Sequence, residues 1–194
     1  MPAGYAKAID EARAKIDRVE GLERALQLGD AKAFAEHFDA AIIRRLAERF
    51  APYKDKIVEL ASKEILPPRR LGLRKASGWG SITAEDDQVG RFRFRWHWPE
   101  PRMLDRCLIT LSPEEPAEDD DPDTMATFET AIVERAGYEQ QDGQFRMTAD
   151  PEWIGAHVAV WGLVDLGFET LRSPPVSLGR LKAASRWKRL AWGK

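Results

Sequence analysis

Apolar side chains recur with helical spacing over the first 66 residues of the chain. Between residues 5 and 28 they repeat every three or four positions with charged side chains between them, which predicts a first helix. Gly29 suits the end of that helix, and Asp30 can cap the next one. The second helix is predicted by an apolar stripe at four-residue intervals: Phe34, Phe38, Ile42, Leu46 and Phe50.

A third helix is predicted after Ala51-Pro52, which interrupts the stripe. Its apolar face carries Ile57, Leu60, Ala61 and Ile65. Pro67-Pro68 then closes the unit, because the residue before a proline disfavours the helical conformation. Residues 1–66 are therefore predicted to form a helical hairpin or a three-helix layer.

The clearest strand lies in residues 91–98, where aromatic and cationic side chains alternate strictly. One face is predicted to carry Phe92, Phe94, Trp96 and Trp98. The opposite face is predicted to carry Arg91, Arg93, Arg95 and His97. A second strand, from about Arg106 to Leu111, is predicted to pair with the first in an antiparallel sheet. The preceding residues 67–90 are interpreted as containing a mixed-charge loop, Glu85-Asp86-Asp87.

Turn and cap residues divide the stretch after residue 111. Residues 112–124 are acidic and broken by prolines, which predicts a loop. Asp123 or Thr124 can cap a short helix that runs to Ala136. Asp142-Gly143 predicts the turn of a hairpin within residues 138–147.

The last third of the chain contains a strong helix start at Asp150-Pro151, where a capping residue precedes a proline. The apolar run from Trp153 to Phe168 is predicted to continue it as a largely buried helix. The competing prediction is a strand from His157 to Val164, because valine favours strands. The final segment, residues 178–192, is predicted to be a basic amphipathic helix.

These elements predict an α+β protein with an N-terminal helical hairpin or three-helix layer, a small antiparallel sheet and C-terminal helices. The predicted divisions are a helical layer at 1–66 and an α+β region at 67–194. The second contains the acidic loop, 112–124, and the basic C-terminal segment, 176–194. At 194 residues the chain also fits a single domain.

The distribution of charge along the chain is more informative about partners than the overall composition. The chain is 43% hydrophobic and 32% charged, as in ordinary globular proteins, and its net charge is −2. Residues 107–134, however, contain nine acidic groups and no basic one, whereas residues 170–194 contain seven basic groups and no acidic one. Such segregation indicates a charged partner, or pairing of the two segments within the chain.

Several classes of protein are disfavoured by the sequence. Cys107 is the single cysteine and lies in an apolar stretch, so we expect a buried thiol and no intramolecular disulfide. We find neither a signal-peptide pattern nor an uninterrupted apolar run of about 18 residues. A cytoplasmic location is therefore the expectation, and a membrane-surface partner is disfavoured.

No catalytic residue, metal site or cofactor is predicted. His37, His97 and His157 lie far apart, and no zinc, phosphate-binding, dinucleotide-binding or nucleophile-elbow motif is present. A metal site can be assembled from distant carboxylates, so a small metal-dependent enzyme stays open as the third hypothesis. His157 is interpreted as a structural, hydrogen-bonded histidine.

Candidate binding residues fall in the cationic strand and in the basic C-terminal segment. Guanidinium groups suit phosphate or carboxylate, and the tryptophans could anchor a docked helix. The candidates for binding an anion or a partner are Arg91, Arg93, Arg95, His97, Arg180, Lys182, Arg186, Trp187, Lys188, Arg189 and Trp192. The alternative is that cross-strand acids or the acidic loop neutralise the arginines, and that the tail packs on its own domain.

The sequence favours a non-catalytic protein–protein interaction module, such as an adaptor, an immunity-like protein or an assembly protein. Its partner would be another protein or a second copy of the chain. The first alternative is a nucleic-acid-binding protein that uses the arginine strand and the basic tail. The acidic balance over residues 107–169 opposes that alternative, because it would repel a phosphate backbone.

Overall fold

The computed structural model describes the chain at residues 3–71, 82–88, 91–97, 102–136, 142–148 and 150–181. Side chains are described for residues 4–71, 102–136, 150 and 152–181. The described residues contain helices and antiparallel sheets, which confirms the α+β class. The helices are α1 (Ala3–Leu28), α2 (Ala31–His37), α3 (Ala40–Arg45), α4 (Ala47–Phe50), α5 (Lys54–Glu64) and α6 (Pro68–Leu71). None of them combines the length and apolar character needed to cross a bilayer.

The predicted second helix is wrong as a single element, because α2, α3 and α4 take its place. Asp39 causes the first break: its Oδ1 accepts a hydrogen bond from the Ile42 N–H at 3.0 Å and so caps α3. The Asp39 Oδ2 accepts a second hydrogen bond, from Arg18 Nη1 on α1 at 3.1 Å. The apolar stripe survives the break, since Phe34, Phe38 and Phe50 are all buried.

The core of the helical layer extends beyond residue 66. Its buried members from the helices include Leu22, Leu26, Phe34, Phe38, Ile43, Phe50, Ile57 and Ile65. The same cluster contains Leu104, Val164, Leu166 and Leu171, which lie in or next to the strands. The helical layer therefore packs directly on part of the sheet region.

The described strands form two antiparallel sheets. The strands are β1 (Ile82–Gln88), β2 (Arg91–His97), β3 (Arg106–Ser112), β4 (Glu129–Glu134), β5 (Asp142–Thr148), β6 (His157–Asp165), β7 (Thr170–Arg172) and β8 (Val176–Arg180). The three-stranded sheet has the order β1-β2-β5. The five-stranded sheet has the order β4-β3-β6-β7, and β8 also pairs with β6.

Two predictions about the sheet are wrong. The strand that begins at Arg106 does not pair with the arginine strand; β3 lies between β4 and β6 instead. Its residues from Cys107 onward are buried, and both of its backbone edges are paired, one with β4 and the other with β6. The presumed loop Glu85-Asp86-Asp87 forms part of β1.

Two predicted local features in the second half are also wrong. The helix expected from Asp123 or Thr124 to Ala136 is replaced by β4, whose Thr130, Ile132 and Val133 are β-branched. Asp142-Gly143 is not a hairpin turn, because both residues pair with β2 within β5.

The apolar run from Trp153 to Phe168 is strand β6 and not a helix, so the competing strand prediction is confirmed. The helix start at Asp150-Pro151 yields a single 3-10 turn, Pro151–Trp153, in which Asp150 Oδ1 accepts from the Glu152 N–H. Leu178 to Arg180 belong to β8 and not to a C-terminal helix. Residues 182–194, the rest of the basic segment, lie outside the described residues.

The thiol of Cys107 is buried within the five-stranded sheet, as predicted. It packs in a cluster with Ile109, Leu111, Val158 and Val160. Burial disfavours the thiolate and raises the pKa of Cys107 from its ordinary value of 9.0 to about 12. The thiol is therefore protonated at neutral pH.

This burial predicts a loss of stability at alkaline pH. Between about pH 9 and 12 the unfolded chain releases the Cys107 proton while the folded chain retains it, so the free energy of unfolding falls as pH rises. The slope from this group should approach about 1.4 kcal/mol per pH unit. Denaturation at several pH values measures it, and Cys107→Ala should lack that part of the slope. Equal slopes in the two proteins would contradict the prediction.

Candidate anion-binding surface

The arginine strand is the central strand of the three-stranded sheet, as β2. Alternate residues of a strand lie on opposite faces, so Arg91, Arg93, Arg95 and His97 share one face of β2. Both neighbouring strands run antiparallel to β2. Their residues opposite these four therefore lie on the same face of the sheet.

The register shows which residues stand opposite the arginines. Arg95 lies between Thr83 and Gln144, and Arg91 lies between Gln88 and Thr148. Arg95 therefore has no acidic residue directly across from it, whereas the irregularity between Asp86 and Gln88 leaves Asp87 as an extra residue beside Arg91. The register thus provides no directly opposite cross-strand acid at Arg95.

The row through Arg93 differs, because it contains Glu85 on one side and Arg146 on the other. A fourth arginine thus joins the face, and sequence reasoning missed it. The register also places Asp142 opposite His97. We call the positions Arg91, Arg93, Arg95 and Arg146 the arginine face; Glu85 is the acid paired directly with it.

The opposite face of the same sheet is predominantly apolar. Its positions include Ile82, Ala84, Phe92, Phe94, Trp96, Phe145 and Met147, together with one acid, Asp86, opposite Phe92. The sheet is therefore amphipathic, with an apolar side suited to packing and a cationic side suited to solvent or to a ligand.

The structure separates the candidate binding residues. Arg180 is exposed and lies in β8 opposite His157, and so belongs to the five-stranded sheet and not to the arginine face. The other C-terminal candidates lie outside the described residues: Lys182, Arg186, Trp187, Lys188, Arg189 and Trp192. His157 itself is buried in β6.

The acidic loop folds against the five-stranded sheet. Arg172 of β7 donates hydrogen bonds to Asp121, at 2.6 Å, and to Asp123. Pro122 between them is buried, and Met125 packs on the cluster of Leu108, Trp161 and Leu163. One cation of the acid-free C-terminal stretch thus pairs with two acids of the loop. The remaining acids of the loop are exposed: Glu114, Glu115, Glu118, Asp119 and Asp120.

A second charged cluster lies where α3 meets the sheet. Arg44 Nη2 lies 3.2 Å from Asp105 Oδ2, and Arg44 Nη1 lies 3.5 Å from Asp165 Oδ2. Arg106 lies within ion-pair distance of Asp165, at 3.4 Å, and of Glu134, at 3.1 Å. These residues line a cleft of about 370 Å³.

The electrostatics of this cluster indicate a structural role. Burial acts to lower the pKa of Arg44, but Asp105 and Asp165 outweigh it and raise that pKa. Each of the three carboxylates has an arginine partner, and the pairs connect α3 to β3, β4 and β6. Among the described side chains, no group of three or more histidine, cysteine or acidic residues is arranged to hold a metal ion.

Comparisons with known proteins give no assignment for this architecture. No protein-family model matches the chain, and neither a curated protein nor a solved structure matches it. The functional argument therefore rests on the surfaces of the molecule.

Proposed function

We propose that this chain is a non-catalytic protein-interaction module that binds an acidic partner segment through the arginine face. The observation that carries the proposal is the register of β2 with β1 and β5, which adds Arg146 to the three arginines of β2. Four arginine positions share this face; Glu85 is directly opposite one of them, and Asp87 lies in the irregularity beside another. Carboxylates are favoured ligands for such a group, because guanidinium can hold them with two parallel hydrogen bonds.

The segregation of charge supports a protein partner. Residues 107–134 carry nine acidic groups, and the acids of the loop are exposed on the five-stranded sheet. The molecule thus combines an acidic surface with a cationic face. An interaction module gains specificity and association rate from such complementary potentials more than it gains affinity.

The experiment measures binding of a fluorescent decaglutamate peptide by anisotropy at low salt. Changing Arg91, Arg93, Arg95 and Arg146 together to glutamine should weaken binding roughly 30- to 1,000-fold, since four exposed ion pairs contribute about 0.5–1 kcal/mol each. The control changes four exposed cations on the helices, Arg24, Lys32, Arg45 and Arg69, to glutamine, which alters the net charge equally. Circular dichroism and thermal melting establish that both variants fold.

The two variants separate a localised surface from general electrostatics. The arginine-face variant should lose binding while the control variant retains it. Equal affinity of both variants for the peptide would overturn the assignment of the arginine face, and so would a natural protein that does not bind the peptide at low salt.

A nucleic-acid ligand is the second candidate, favoured by the spacing of the face. Alternate residues of a strand are about 7 Å apart, close to the phosphate spacing of an extended single strand. A ten-nucleotide single strand, tested beside the decaglutamate, distinguishes the two. Preference for the oligonucleotide, with a salt slope of about −3 from four phosphate contacts, would support nucleic acid over an acidic protein segment.

A further inference from the structure

Strand β4 lies at one end of the five-stranded sheet. Among the described strands it pairs with β3 alone. Its residues alternate between exposed and half-buried over most of its length, and Ile132 near its centre is 57% exposed. An edge strand of this kind presents a row of backbone N–H and C=O groups along its outer side.

The hydrogen bonds to β3 show which backbone groups of β4 point outward. Arg135, directly after β4, donates its N–H to the Asp105 carbonyl at 2.7 Å. The two residues are directly opposite in the continued register, so they form a hydrogen-bonded pair. Hydrogen-bonded and non-hydrogen-bonded pairs alternate along an antiparallel ladder. The N–H and C=O groups of Thr130, Ile132 and Glu134 therefore point away from β3, toward the outer edge.

The outer edge of β4 lacks the features that usually protect an edge strand, which are charged side chains, proline and bulges. Residues 130–133 are Thr-Ala-Ile-Val, and their register with β3 is regular. By contrast, the edge strand β1 carries acids and a register irregularity. The edge strand β8 contains Gly179 with φ +104° and a register shift. Of these three edges, β4 is the one suited to accept another strand.

We infer that β4 pairs antiparallel with β4 of a second copy of this chain, so that the two five-stranded sheets become continuous across a two-fold axis. Only residues whose backbone groups point outward can form hydrogen-bonded pairs, which limits the possible registers. One register uses all three of them: Ile132 faces the partner's Ile132, and Thr130 faces the partner's Glu134. A shift of two residues in either direction leaves one of the three facing a residue outside β4.

The side chains agree with this register. The two exposed Ile132 side chains come directly opposite each other, which removes apolar surface from water. On the other face of the sheet, Ala131 comes opposite the partner's Val133, and Glu129 comes opposite the partner's Arg135. Opposite charges thus flank the apolar centre of the interface at both ends. This complementarity of β4 with itself favours a second copy of the chain over an unrelated strand.

Sedimentation equilibrium of the full chain tests the dimer. A short interface between two strand edges is weak, so we expect the mass to approach twice 22.0 kDa at concentrations on the order of 100 µM and above. Ile132→Lys places two lysines opposite each other at the two-fold axis and should weaken association at least about 10-fold. Thr130→Lys is the matched control, because it adds the same charge to the same face of β4 but comes opposite the partner's Glu134. It should retain the dimer, and circular dichroism with thermal melting establishes that both variants fold.

Amide hydrogen exchange tests the register in the natural protein. The N–H groups of Thr130, Ile132 and Glu134 should exchange at least about 10-fold more slowly at concentrations where the dimer forms than in dilute protein. The N–H groups of Ala131 and Val133 point toward β3, so their exchange should be the same at both concentrations. These two amides lie in the same strand and serve as internal controls.

The outcomes that would overturn the inference are distinct from those for the arginine face. A monomer at every concentration, a dimer that survives Ile132→Lys, or loss of the dimer in both lysine variants would each contradict it. Exchange at Thr130, Ile132 and Glu134 that does not depend on concentration would contradict it as well. The arginine face belongs to the three-stranded sheet, so none of these results bears on the binding of an acidic segment there.

Discussion

Replacing Trp161 with alanine should lower the free energy of unfolding by about 3–5 kcal/mol. Trp161 lies in β6, is 1% exposed, and is among the largest fully buried side chains. Its ring packs with Leu108 and Leu163, and Met125, which directly follows the acidic loop, packs against the same cluster. The substitution therefore removes packing within the sheet and also the surface against which Met125 packs. Urea denaturation measures the loss by linear extrapolation.

A hydrogen bond accounts for part of the Trp161 contribution. The Trp161 Nε1–H donates to Thr110 Oγ1 at 3.0 Å, and both groups are buried. Trp161→Phe keeps most of the apolar volume but leaves the Thr110 hydroxyl without this partner, so we expect a loss of about 1–3 kcal/mol. Thr110→Val combined with Trp161→Phe should recover part of that loss. A Trp161→Ala protein within 1 kcal/mol of the natural one would contradict the role of this cluster.

The acidic loop was only partly predictable from the sequence. Its composition correctly indicated a loop, since prolines and acids dominate it. The ion pair between Arg172 and Asp121, which holds the loop on the five-stranded sheet, could not be found from local sequence. The two residues are 51 positions apart in the chain. Long-range ion pairs of this kind depend on the strand order, and a single sequence does not specify that order.

The helices of residues 1–66 were better predicted than the strands that follow. The spacing of apolar residues defines one face of α5, and short-range caps such as Asp30 are visible in the sequence. Strand β6 is buried along most of its length, and so reads as a continuous apolar run. Such a run cannot be distinguished from a buried helix by periodicity. The preceding Asp150-Pro151 then favoured the wrong alternative.

The candidate surface was predictable within a single strand, from the alternation of its residues. Alternation in β2 predicted Arg91, Arg93 and Arg95 correctly as residues of one strand face. Arg146 was missed because Asp142-Gly143 was interpreted as a turn. A usable signal was present, since Gln144 and Arg146 alternate with Phe145 and Met147 in the sequence. The pairing of β5 with β2 still required the structure.

Replacing Gly167 with alanine should lower the free energy of unfolding by about 2–5 kcal/mol, from two separate causes. Gly167 has φ +84°, a left-handed conformation that costs a residue with a Cβ about 1–2 kcal/mol. A Cβ at this position would also lie 3.1 Å from the backbone oxygen of Arg44 and 3.2 Å from its Cα. That crowding adds about 1–3 kcal/mol, because the backbone of α3 must move.

Gly155→Ala provides the matched control that separates the two causes. Gly155 has φ +95°, and no heavy atom of the described residues would lie within 4 Å of its Cβ. It should therefore lose only the conformational part, about 1–2 kcal/mol. The displacement of α3 in Gly167→Ala should also weaken the ion pairs of Arg44 with Asp105 and Asp165. Equal losses in the two alanine variants would mean that α3 accommodates the methyl group, and that its close approach to the sheet is not needed for stability.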